Sequence, residues 1–68
     1  PFQQNPKLTD KELLILSYFC EGMLREQIAE KMKIQVKTLR IYCVSINKKL
    51  GCNKLHQAIV WYLTQYKK

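Results

Sequence analysis

The stretch Val36-Lys37-Thr38-Leu39-Arg40-Ile41-Tyr42-Cys43-Val44-Ser45-Ile46-Asn47-Lys48-Lys49-Leu50 reads as one helix with two working faces. At about 100° per residue, Leu39, Cys43, Ile46 and Leu50 share one stripe. Lys37, Arg40, Ile41, Val44 and Lys48 share the opposite stripe, which holds no acid. An ordinary surface helix turns mixed charges to water on that side. A basic face with aliphatic side chains in its middle suits an anionic partner with apolar spots. The DNA major groove offers phosphates along its walls and thymine methyls on its floor.

Size and charge agree with a small binding domain. The chain has 68 residues, enough for one compact core, and 47% of them are hydrophobic. Gly and Pro number two each, and both prolines, Pro1 and Pro6, stand near the start. A helical body with short turns follows. No apolar run approaches the roughly 20 residues of a membrane span, and no membrane partner is expected. Residues 1–7 lack an initiator Met and are polar and proline-flanked, so they read as a linker remnant of a longer protein. The formal net charge is +7, and all five acids lie at or before Glu30. The later chain carries nine Lys or Arg and no acid. Such asymmetry points to nucleic acid or an anionic surface, with a solubilising surface as the plain alternative. The odd set Cys20, Cys43 and Cys52 follows no framework spacing and suits a reduced, cytoplasmic chain.

Four helices are expected, over about residues 10–21, 25–32, 36–50 and 54–66. Thr9 and Glu12 form the capping box of the first, with Leu8 and Leu13 as its staple. Leu13, Leu16, Phe19 and Cys20 recur at helical spacing, widened by Ile15 and Tyr18. Gly22 is placed to end that helix with positive φ. The second helix buries Ile28, Ala29 and Met32. Its turn into the third has no Gly, which leaves a Lys to adopt the unusual backbone angles. Leu24 and Gln35 are weak caps. Asn53 is expected to cap the fourth helix. Its apolar face is Leu55, Ala58, Ile59, Tyr62 and Tyr66, with Leu63 at the edge, and Val60 and Trp61 project away.

Two helices joined by a short turn, the second one basic outside, describe a helix-turn-helix buttressed by the first and fourth helices. The second helix of such a pair enters the major groove. The fold class is therefore all-α, a four-helix domain over residues 8–66 with a central helix-turn-helix.

Leu8-Thr9-x-x-Glu12, Leu16, Gly22, Ile28-Ala29, Met32, Ile34, Thr38-Leu39-Arg40, Ile46, Lys49-Leu50-Gly51 and Ala58 stand in an ordered combination. Over residues 8–61 the chain resembles the LuxR/NarL-type (GerE) DNA-binding effector domain of bacterial transcription factors. The resemblance implies sequence-specific double-stranded DNA binding as a homodimer through the last helix. It also implies an upstream receiver or ligand-sensing domain, a response regulator being the common case, and a place in the bacterial nucleoid with RNA polymerase as a further partner. The chain departs from the family pattern at Leu24-Arg25 (commonly Ser-Asn), Gln35 (Ser or Thr), Tyr42 (His) and Leu55 (Arg).

Residue by residue, Lys37, Arg40, Ile41 and Val44 match the family's reading face. Arg40 can donate a bidentate pair to a base or phosphate, and Ile41 and Val44 can meet thymine methyls. Lys48, Lys49 and Lys54 are placed for phosphate. The competing reading makes the lysines a solvated face and Ile41/Val44 a protein contact. Val60 and Trp61 are candidates for the dimer contact, Trp being a common interface anchor. Alternatively Trp61 folds back on the first helix.

Cys20, Cys43, Cys52 and His56 have zinc-ligand chemistry, but the only close pair is Cys52-x₃-His56, and no metal or cofactor is expected. No Gly-rich phosphate loop or nucleophile–base pair suggests an enzyme. Two other functions share these features: the promoter-reading region of a sigma factor, and a protein-interaction module.

Overall fold

A computed structural model describes residues 7–66 of the chain; the linker expected over residues 1–7 lies almost wholly outside them. Four helices follow in order: α1 (Asp10–Cys20), α2 (Arg25–Met32), α3 (Val36–Leu50) and α4 (Leu55–Trp61). A π-helical turn, Tyr62–Tyr66, continues α4. The expected all-α architecture with a central helix-turn-helix is what forms, and α2 and α3 begin and end where their apolar spacing placed them.

Each of the first three helices ends in the same way. After α1, Gly22 takes φ 87°, its N–H donates to Phe19 O, and Met23 N–H donates to Tyr18 O. After α3, Gly51 takes φ 72°, with Gly51 N–H to Lys48 O and Cys52 N–H to Asn47 O. These are Schellman endings, which satisfy the orphan carbonyls of the last turn. After α2 the same bonds form, Lys33 N–H to Glu30 O and Ile34 N–H to Ala29 O. Lys33 supplies the left-handed angles itself, at φ 58° and ψ 43°. That conformation brings Cβ too close to the carbonyl oxygen, so the turn that sets α3 against α2 holds local strain.

The core lies where the four helices meet. Ile15 and Leu16 from α1, Ile28 and Ala29 from α2, and Leu39, Cys43, Ile46 and Leu50 from α3 are buried. Ala58, Trp61 and Tyr62 close it from the last helix. Two expectations are corrected here. The α1 stripe centres on Ile15 and Leu16, with Leu13, Tyr18, Phe19 and Cys20 only partly buried around it. Trp61 does not project outward: it is 6% exposed and belongs to the core. It follows Ala58 by one turn, so turning the helix toward Ala58 brings the indole in and leaves Leu63 and Tyr66 half exposed. Burying the larger ring is worth more than burying Leu63.

The ends of α4 also differ from expectation. Lys54, not Asn53, is the cap, in an extended conformation without a side-chain hydrogen bond. Gln57 explains the shift, because its Oε1 accepts the Asn53 N–H at 2.9 Å. At the other end, Tyr66 stacks on Tyr62 at 5.2 Å between centroids and lies 5.8 Å from Trp61.

Replacing Lys33 by Gly is expected to relieve the left-handed strain. Urea unfolding should show a net gain of about 0.5–1 kcal/mol, the relief being partly offset by the extra freedom of Gly in the unfolded chain.

Candidate nucleic-acid interface

The inner stripe of α3 is wholly committed to the core, and this fixes which way its outer stripe faces. Lys37, Arg40, Ile41, Val44 and Lys48 are all exposed. Ile41 is 64% and Val44 54% exposed, in the middle of the basic stripe. Water contact at two adjacent aliphatic side chains is a standing cost that a partner surface removes.

The start of α3 is loosely held. Gln35 makes no side-chain cap bond, and Val36 and Lys37 are exposed. The start of α2 is similar: Leu24 has no acceptor to offer, although Gln27 Oε1 takes the Leu24 N–H at 2.8 Å. By contrast α1 has the full reciprocal box. Glu12 N–H donates to Thr9 Oγ1 at 3.2 Å, and Thr9 N–H donates to Glu12 Oε1 at 2.8 Å.

Glu12 does more than cap. It is 2% exposed, and both its oxygens reach across to α3. Oε1 also accepts from Lys49 Nζ at 2.8 Å, and Oε2 accepts from Ser45 Oγ at 2.9 Å. Burial alone pushes the carboxyl pKa up. The bonds from Lys49, Thr9 and Ser45, with the Lys49 charge, outweigh it and hold the group below its ordinary value of 4.5. The spacing carried a signal for this role. Glu12 stands at i−3 and i−4 from Ile15 and Leu16, on the apolar stripe itself. Lys49, placed with the phosphate contacts in the sequence, is thus engaged within the domain, in the one ion pair among the described residues.

Three other cations converge elsewhere. A cavity of about 330 Å³ opens between the start of α2, the middle of α3 and the start of α4. Its lining includes Arg25, Arg40, Val44, Asn47 and Lys54, and no acid. Burial raises the pKa of the Cys43 thiol, also in this lining, while the charge of Arg25 opposes the rise. Arg25 was not among the sequence candidates. Its departure from the usual family residue was the available signal. On α4, Val60 is exposed at 37% and Leu63 at 53%.

A helix-turn-helix with its second helix basic and outward defines a DNA-binding class of protein. The chain belongs to the luxR family of bacterial regulatory proteins, whose family model matches residues 6–62. It is accordingly a DNA-binding domain of a bacterial transcription regulator. Among curated proteins it is similar to the DNA-binding transcriptional activator DevR/DosR of Mycobacterium tuberculosis (strain ATCC 25618 / H37Rv). The two are 37% identical over 54 residues, covering 79% of this chain and 25% of that protein. The chain therefore spans about a quarter of the length of that relative. No solved structure gives a significant match.

The tether predicts an acid response. Because the folded pKa of Glu12 is depressed, its stabilisation is complete above the unfolded carboxylate value and is lost as pH falls through the lower folded value. Replacing Glu12 by Gln is expected to cost about 1.5–3 kcal/mol at neutral pH and to flatten the stability profile below pH ~4.5. Urea melts across pH 2–7, a range chosen to span ordinary carboxylate titration, read both effects.

Proposed function

We propose that α3 enters the major groove and reads sequence through Lys37, Arg40, Ile41 and Val44. One observation carries this reading: an acid-free basic stripe with two exposed aliphatic side chains at its centre. A plain phosphate binder gains nothing from Ile41 and Val44, whereas a reader of groove floors meets thymine methyls with them. Arg40 donates to a base edge or phosphate at the groove wall. Lys48 and Lys54 hold the backbone and release counterions, which supplies affinity without sequence preference. Lys49, paired with Glu12, serves the placement of α3 instead.

Two such domains bind half-sites one helical turn apart. The contact between copies runs along the exposed side of α4 through Val60 and Leu63, since Trp61 is taken up by the core. Similarity to a longer transcriptional activator, of which the match covers 25%, supports a place at the effector end of a longer cytoplasmic regulator. A receiver or sensor domain precedes it in this reading, as in a response regulator, and the function is binding, not catalysis.

Arg40→Ala is expected to weaken specific binding by about 1–3 kcal/mol and to relax preference at its base position. Lys48→Ala is expected to weaken all duplexes alike and to shrink the salt slope by about 0.9. Fluorescence anisotropy on a selected site and a random duplex separates them. Equal losses for Arg40→Ala on both duplexes remove its reading role, and absence of binding at low salt removes the whole proposal.

Val60→Asp is expected to leave half-site binding intact and to abolish cooperative binding to a paired site. A gel-shift titration that still shows cooperative filling rejects the α4 contact.

A further inference from the structure

The cavity between α2, α3 and α4 has a composition that the reading helix alone does not explain. Three cations from three different elements line it: Arg25 at the first residue of α2, Arg40 on α3 and Lys54 at the cap of α4. No acid stands in the lining, and among the described residues the one ion pair lies elsewhere, between Lys49 and Glu12. Like charges gathered without a counter-charge repel one another, and an anion seated among them removes that repulsion. Asn47 lines the same cavity. Its Oδ1 is the one buried side-chain polar atom among the described residues without a hydrogen-bond partner. A guanidinium drawn inward toward an anion is the kind of donor this oxygen lacks.

We propose that Arg25, Arg40 and Lys54 form a pocket for one phosphate-class anion, and that in the complex with DNA this anion is a backbone phosphate. The inference rests on the reading of α3 as the groove helix and extends the contact surface to α2. Arg25 becomes a DNA-contacting residue outside the reading helix, at a position where the family pattern commonly has Asn. It also gives Arg40 a second task, since this residue belongs to both the pocket lining and the outer stripe of α3. A phosphate held at this point sets how far α3 rotates in the groove, and so which bases Ile41 and Val44 meet.

The decisive variant is Arg25→Gln, at an exposed position that the core does not use. A salt series with a random duplex reads it directly. Loss of one phosphate contact lowers the salt slope by about 0.9, which at 0.1 M salt is roughly an eight-fold loss of affinity. The loss is expected to be larger on a selected site, where the rotation of α3 also matters, and Arg25→Lys is expected to restore the slope. An unchanged slope and affinity in Arg25→Gln, beside a Lys48→Ala control that does change, overturns the pocket while the α3 reading stands. A second arm compares phosphate with duplex DNA. Inorganic phosphate is titrated while the Asn47 side-chain amide and the Lys54 backbone amide are followed by NMR. Saturable shifts in the wild type that vanish in Arg25→Gln support an anion pocket even if the duplex does not bind. Shifts with DNA but none with phosphate assign it to the polymer backbone alone. Absence of shifts with either probe rejects it.

Discussion

The carboxylate of Glu12 joins the ends of this domain that matter most. It closes the first turn of α1 through Thr9 and reaches Ser45 and Lys49 on α3. A buried charge is tolerated only when it is paired and its lone pairs are filled, and three donors do that here, Thr9 N–H, Ser45 Oγ and Lys49 Nζ. The bond to Ser45 fixes the middle of α3 along its axis, and the ion pair fixes its last turns. Apolar stripes alone allow small slides and rotations, because methylene contacts have little direction. A directional tether does not. The outer face of α3 is aimed by this contact as much as by the core.

The opposite end of α3 is held differently. Its first turn has no side-chain cap, and the residue that turns the chain into it, Lys33, sits in a strained backbone region. The helix is thus anchored at its C-terminal half and looser at its N-terminal half, where Lys37 and Arg40 lie.

Much of the fold was legible because helical spacing is a local property. The α3 stripe of Leu39, Cys43, Ile46 and Leu50 was read correctly since every member is aliphatic or thiol and one face has no rival. The capping box and the left-handed Lys33 followed from residue types within three or four positions. On α4 the same reasoning placed Leu55, Ala58, Ile59 and Tyr62 against the core but turned Trp61 out and Tyr66 in. Leu63, Tyr66, Val60 and Trp61 give that helix apolar residues on most sides, so spacing does not choose a face. The choice came from filling the space left by α1 and α3, which the indole of Trp61 does best.

The candidate interface divides along the same line. The sequence by itself determined that α3 is two-faced, that its outer face is basic and acid-free, and that Ile41 and Val44 interrupt it. Those properties depend only on order and period. Tertiary structure decided which cations the domain itself engages and which it brings together. Lys49 lies one residue from Lys48 yet is drawn to Glu12, thirty-seven residues away in the chain. Arg25 lies on another helix yet shares a cavity with Arg40 and Lys54. Charges interact through space, and only the packed helices set those distances.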